Sequence, residues 1–275
     1  MNANGKGFLW LSPLAMAVAL AACGSDDNDR GRITLPGEQP GNQLLVMHNG
    51  SSNAGQVDLL DGRLNVIQTF NADANEGIAL DLLGNLYAAN DSGGAPSRLQ
   101  ALHKVVERSD NASAVSTLDR SLPAAGSMTL KGIAIAHEAG LVMAANLGGN
   151  SIEVFGTAAG ENAVPLASTP LAGNAWDLVY DEPSDRLFLA MTNGTVVVVD
   201  DYVAGGFMAT PSRTLTPDTA GTVSNIHGIA YQADTDTLVI TDVGDAAVAD
   251  DGRLYVIGNA STANGTVTPP RPLFG

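Results

Sequence analysis

The chain has 275 residues, 29 of them Asp or Glu and 13 Lys or Arg, for a formal net charge of −16 at pH 7. That balance excludes a nucleic-acid partner, whose phosphates need Lys and Arg, and argues against electrostatic adhesion to anionic lipid. One cysteine excludes an internal disulfide framework, while 31 glycines and only 15% charged residues favour many short strands and turns over helices.

In chain order, the first element is a leader. Lys6 precedes an uncharged run from Phe8 to Ala22, which ends in Leu20-Ala21-Ala22 just before Cys23. A charged start, an apolar middle and small residues before a cut site describe a secretory signal. The run is about 15 residues, short of the roughly 20 that span a bilayer as a helix. With cysteine at the cut, the segment resembles the lipobox of bacterial lipoproteins. That resemblance implies cleavage before Cys23 and lipidation there, with palmitate among the acyl groups. Gly24-Ser25 stand where an Asp directly after the cysteine would favour inner-membrane retention, so the resemblance points to the outer membrane of a bacterial cell envelope. We divide the chain into a signal peptide (1–22), a flexible tether (23–42) and a folded domain (43–275). The tether is rich in Asp, Asn, Gly and Pro and buries little apolar surface. Cleavage removes only Lys6 among the charged residues, so the mature charge is −17.

The domain is internally repetitive. Glu76-Gly77-Ile78-Ala79-Leu80-Asp81 recurs as Lys131-Gly132-Ile133-Ala134-Ile135-Ala136, as Trp176-Asp177-Leu178-Val179-Tyr180-Asp181, and as His227-Gly228-Ile229-Ala230-Tyr231-Gln232. A second strand follows each copy: 86–90, 142–146, 187–191 and 238–242. An earlier second strand, 45–49, has no clear first strand before it. Third strands follow Gly-containing or polar turns at 55–60, 97–102, 150–155, 194–199 and 252–257, and weaker fourth strands include 65–70 and 212–216. These runs are β-branched or apolar and bounded by Gly, Asn, Asp and Pro. First and second strands are almost continuously apolar, as strands buried on both faces should be. Small residues, Ala79, Ala88, Ala89, Ala134, Ala144, Ala145 and Ala230, mark where units crowd together. Asn49, Asn90, Asn146 and Asp242 end second strands, where an Asx side chain bonds the backbone of the next turn.

Units of four strands and about 50 residues predict an all-β fold, a β-propeller with about five blades or an incomplete six-bladed ring. Residues 32–35 are a candidate strand to complete the first blade. Unit by unit, Gly-Ile-Ala, then apolar-Ala-Asn, then a Gly turn before Ile-x-Val-Phe resembles the NHL-type propeller repeat. The resemblance covers most of residues 43–273 and speaks to architecture, since this fold carries many activities.

Equivalent positions in a propeller converge at one mouth of the central channel. Those just before each Gly-Ile-Ala are Glu76, Lys131, Trp176 and His227, an acid, a base, an indole and an imidazole, and they form the candidate binding set. The function expected is a lipid-anchored binding module for a protein, peptide or glycan at the rim. A second expectation comes from Glu76-Gly77, which resembles the start of the first strand in gluconolactonase- and paraoxonase-like hydrolases. It implies Ca²⁺ or another divalent cation on Glu76, Asn225 and Asp242, with His227 as base. Lys131 and Trp176 depart from that pattern. Weaker Ca²⁺ candidates are the segments 71–75 and 242–252. The four histidines, His48, His103, His137 and His227, lack metal-ligand spacing, and there is no nucleophile elbow or P-loop.

Overall fold

The computed structural model describes residues 44–48, 55–61, 63–91, 98–105, 120–123, 129–208, 210–217, 223, 225–245, 248, 251–268 and 272–274. Cys23, the tether, residues 32–35 and Asn49 lie outside them.

Among the described residues, five sheets follow one another along the chain, antiparallel except at one edge of the fourth. The first contains β1 (Leu44–Met47), β2 (Gly55–Leu60) and β3 (Val66–Ala74), and the second β4 (Ile78–Leu80), β5 (Leu86–Asn90), β6 (Arg98–Leu102) and β7 (Arg120–Pro123). The third holds β8 (Leu130–Ala136), β9 (Leu141–Asn146), β10 (Ser151–Gly156) and β11 (Ala167–Pro170). The fourth holds β12 (Ala175–Asp181), β13 (Arg186–Met191), β14 (Val196–Val199) and β15 (Arg213–Pro217). The fifth holds β16 (Ile226–Gln232), β17 (Thr237–Asp242) and β18 (Arg253–Gly258). The chain then crosses to the outer edge of the fourth sheet, where β19 (Gly265–Val267) pairs parallel to β15, and returns as β20 (Pro272–Phe274) beside β18. Helical structure among the described residues is limited to 3₁₀ turns at Glu182–Ser184 and Ala233–Thr235. No helix among them is long and apolar enough to cross a membrane.

Packing explains the continuous apolar runs. On β13, Leu187, Leu189 and Met191 join a core cluster with Met143, Ala145 and Leu178, toward the third sheet. Phe188 and Ala190, alternating with them, join Ile226, Leu238 and Ile240, toward the fifth. β9 divides the same way: Met143 and Ala145 face the fourth sheet, and Val142 and Ala144 face the second. Side chains alternate across a strand, so a strand sandwiched between two sheets must be apolar at every position. Val57, Leu59 and Phe70 pack with Leu86, Ala88 and Leu102 to join the first sheet to the second.

First strands of neighbouring sheets lie side by side, β4 with β8, β8 with β12 and β12 with β16. The Gly of the repeat is needed at this seam. Gly77 N–H donates to the Lys131 carbonyl at 3.0 Å, and a Cβ on Gly77 would lie 2.6 Å from that oxygen and 2.8 Å from Gly132 Cα. Of the small residues expected in crowded places, Ala88, Ala89, Ala144 and Ala145 are wholly buried. Ala230 is exposed, because β16 has a neighbouring sheet on only one side among the described residues.

The Asx expectation holds at two strand ends. Asn146 Oδ1 accepts from Gly149 N–H at 3.1 Å, and Asp242 Oδ1 accepts from Gly244 N–H at 3.1 Å. Hairpin tips add another repeated device. Asp185 and Asp236 sit at φ 48° and 47°, where Asp is tolerated. Each accepts from a Tyr hydroxyl one strand earlier, Tyr180 at 2.8 Å and Tyr231 at 3.0 Å.

Candidate functional site

The site begins with a backbone irregularity that repeats. On β8, Leu130 pairs with Asn146 and Ile133 with Ala144, so Lys131 and Gly132 together oppose one residue. On β12 the register shift isolates Trp176, and on β16 it isolates His227. Ahead of β4, the N–H groups of Asn75 and Glu76 share the Ala89 carbonyl, both at 3.2 Å. These are β-bulges, which re-aim one side chain out of the strand's alternation. Each bulge carries the residue that precedes the Gly-Ile-Ala motif or its equivalent.

The four re-aimed side chains form a continuous line across four sheets. Lys131 Nζ donates to Glu76 Oε1 at 2.6 Å and to Asp91 Oδ2 at 2.8 Å. It also lies 4.5 Å from the centroid of Trp176, within cation–π range. Trp176 stacks on His227 with ring centroids 3.5 Å apart and planes 9° from parallel. Lys131 is buried, with a side chain only 6% exposed, while Glu76 and Asp91 retain 14% and 22%. The ammonium therefore sits in a low-dielectric seam, where its two carboxylates and the indole replace water. Asp91 is itself fixed by Asn75, which accepts its N–H at 2.7 Å and donates to its carbonyl at 2.8 Å.

A surface pocket of about 600 Å³ adjoins the aromatic end of this line. It is lined by Leu147 from the third sheet, by Asn174, Trp176 and Thr192 from the fourth, and by Asn225, His227, Gly244 and Asp245 from the fifth. The carbonyls of Thr129, Asn174 and Asn225 accept the N–H groups of Leu147, Thr192 and Val243, at 2.8, 3.0 and 3.1 Å. One repeated backbone bond thus places the lining residues in all three sheets. Two polar atoms of the lining residues, Asn225 Oδ1 and His227 Nε2, are shut off from water without a partner. Left so, each such atom costs about 1–3 kcal/mol.

Burial lowers the affinity of His227 for a proton, the Lys131 charge lowers it further, and Asp242 opposes both. The imidazole is therefore neutral at pH 7. Asp177, next to Trp176, moves the other way. Burial pushes its carboxyl up to about 6, against N–H bonds from Leu178 at 2.8 Å and Ile229 at 3.2 Å that favour the charged form. It takes the place of Gly in the third copy of the motif and fills the space above Gly132, where a Cβ would lie 2.7 Å from Asp177 Cα.

A proton that binds at about 6 in the folded chain and at 3.8 in the unfolded one is held more tightly by the folded state. This group's contribution is therefore full below about pH 4 and lost as pH rises through about 6. Asp177→Asn should flatten the pH dependence of thermal unfolding between pH 4 and 7, and an unchanged profile would assign that dependence to other groups.

The structure thus brings Glu76, Lys131, Trp176 and His227 into one contiguous set. Of the hydrolase-type set, Glu76 is committed to Lys131, and Asp242 Oδ1 accepts from Asn225 N–H at 3.0 Å as well as from Gly244. No group of three or more His, Cys, Asp or Glu side chains among the described residues is arranged to hold a metal ion. Most of the segment 71–75 is strand, since β3 runs to Ala74. In the segment 242–252, Asp251 Oδ2 accepts from Asp245 N–H at 2.8 Å. His48 is bound to Asp58 at 2.7 Å, and burial lowers the pKa of His137.

The residues not anticipated from sequence are Asp91, Leu147, Asn174 and Thr192. Their signal was the repeat itself. Asp91, Leu147 and Thr192 each follow a second strand, and Asn174, like Asn225, stands two residues before the bulge residue.

No family model matches the chain, and no curated protein does. Solved structures do resemble it. Kuenenia stuttgartiensis hydrazine synthase aligns with a TM-score of 0.52 and 11% identity, over 72% of this chain and 48% of that one. This chain thus spans about half the length of that structure. The complex of KlAtg21 with the coiled-coil of AgAtg16 aligns with a TM-score of 0.51 and 14% identity, over 84% of this chain and 68% of the other. At such identity the likeness is one of fold alone. The chain is thereby an all-β protein of successive antiparallel sheets.

Proposed function

We propose that this chain is a lipid-anchored β-propeller of the bacterial cell envelope, built from NHL-like blades, whose work is to bind a ligand at the pocket beside Trp176 and His227. The five sheets are its blades, with first strands innermost. Acylated Cys23 holds the domain at the membrane, on the outer-membrane side, through the tether. The observation that carries the reading is the line Glu76–Lys131–Trp176–His227. Four bulges aim four different side chains at one place, and a pocket opens at the end of that line. A scaffold needs no such convergence, whereas a binding site needs a rigid polar and aromatic lining. No catalytic step is assigned, and the ligand class at the rim is a protein, peptide or glycan.

The test is capture from cell envelopes by the membrane-anchored protein. Trp176→Ala should lose the partner that the unaltered protein retains, while remaining in the membrane fraction. Cys23→Ser should leave the membrane fraction and keep the pocket. Equal capture by Trp176→Ala would remove the pocket from the reading, and unchanged fractionation of Cys23→Ser would remove the anchor.

A further inference from the structure

The two ends of the sheets differ. The pocket and the line Glu76–Lys131–Trp176–His227 lie where first strands begin and second strands end. The opposite end is made by the turns after first strands and after third strands. Neighbouring sheets touch there: Tyr87 Oη donates to the Thr157 carbonyl at 2.9 Å, and Glu138 N–H to Glu182 Oε1 at 2.6 Å. Large apolar side chains stand out from that end in each of the first four sheets. Leu64 is in the turn between β2 and β3, Leu83 between β4 and β5, Leu166 beside Gly156 at the end of β10, and Met208 between β14 and β15. Each is 66–67% exposed. Single exposed apolar residues are ordinary on a protein surface, but these share one end in four successive sheets. Leu64 is also held against its nature. Its φ is 64°, a conformation that suits Gly or Asn and strains a bulky side chain. Phe207 shares it at 65° but packs edge-on against Tyr202, whereas Leu64 is turned to solvent.

The chain enters at this same end. Leu44 opens β1 and pairs with Leu60, the last residue of β2, beside the Leu64 turn. Only 20 residues lie between Cys23 and Leu44, a reach of at most about 70 Å. An anchor at Cys23 therefore draws this end, and not the pocket end, toward lipid. The charge here is not basic: in the exposed turns Arg63 and Lys104 are offset by Glu138, Asp201 and Asp234. Contact with lipid at this end must come from apolar side chains rather than from headgroup charge. We infer that this end is a membrane-docking face, which rests Leu64, Leu83, Leu166 and Met208 in the surface of a zwitterionic bilayer and holds the pocket away from it. The inference rests on the lipid-anchor reading above and gives that anchor an orientation. One apolar turn binds lipid weakly, but four add to one another on a chain already held at the surface.

The test uses the mature chain, residues 23–275, which keeps every described residue. Cys23→Ser removes any acyl contribution, and the probe is vesicles of phosphatidylcholine and phosphatidylethanolamine. Flotation should recover the protein with the vesicles, and added salt should leave that recovery unchanged. Leu83→Ser should weaken partition about tenfold, the factor that burying much of one leucine supplies. Leu64→Asn should weaken it comparably without lowering the melting temperature, because Asn accepts the left-handed turn. Val248→Ser, between β17 and β18 at the pocket end, should leave partition unchanged. Absence of the Cys23→Ser chain from the vesicles, or an equal loss with Val248→Ser, would overturn the inference. Self-association that Leu83→Ser abolishes, without vesicle binding, would overturn it in favour of a second copy on this face. Failure of the anchor is separate: it shows as unchanged fractionation of full-length Cys23→Ser in cells, whatever the vesicles report.

Discussion

Lys131→Met is expected to lower the unfolding free energy by about 3 kcal/mol, the size found when one partner of a buried ion pair is removed. Methionine fills the stem but leaves Glu76 and Asp91 facing each other across the space the ammonium held. Both carboxylates are less than a quarter exposed, so solvent only partly relieves the repulsion. For a domain near 250 residues, this corresponds to a melting-temperature loss of roughly 6–12 °C. The triple variant Glu76→Gln, Asp91→Asn, Lys131→Met removes all three charges and should recover most of it. Calorimetry of the single and triple variants distinguishes a charge effect from a packing effect. If the triple variant melts no higher than the single one, the seam depends on the shape of Lys131 and not on its charge.

Gly77→Ala should approach that cost, for a different reason. The added methyl meets the Lys131 carbonyl oxygen and Gly132 Cα, both backbone atoms held by the seam between the second and third sheets. No side-chain rotation relieves such a contact, so the sheets must separate or the bulge must open. Overpacking of this kind costs about 1–3 kcal/mol and at times more. Opening the bulge also moves Glu76 away from Lys131, so Trp176 emission should change along with stability. Gly258→Ala is the control, because its methyl would project into open space. It should melt within about 1–2 °C of the unaltered chain. Similar losses at both glycines would show that the seam is not their cause.

Most of the fold was legible because two physical signals coincided. Continuous apolar runs such as Val142-Met143-Ala144-Ala145 can exist only where both faces of a strand are covered. The Gly-Ile-Ala phrase marks where one sheet's backbone touches the next. The candidate residues were legible as equivalent positions, but their contacts were not. Nothing in the order Glu76, Lys131, Trp176, His227 states that an ammonium will sit between a carboxylate and an indole. That follows from the bulges, which appear only once the register is known. Asp91 escaped notice because its role depends on a neighbour 40 residues away. The departure of β19 from its own sheet was also hidden, since Gly265-Thr266-Val267 resembles any short edge strand.

That departure orders events during synthesis. The stretch between β18 and β20 is fastened to the fourth sheet, not only by β19 but also where Arg213 donates to the Ser261 carbonyl. Asp236 of the fifth sheet takes both the N–H and the hydroxyl of the same Ser261, each at 2.7 Å. While a ribosome is still reading codons near 250, β15 has been made but its outer rim has no mate. A bare rim of that sort invites pairing with another nascent chain. The fourth sheet is thus finished by residues made after most of the fifth, and a premature stop between them would damage two sheets at once.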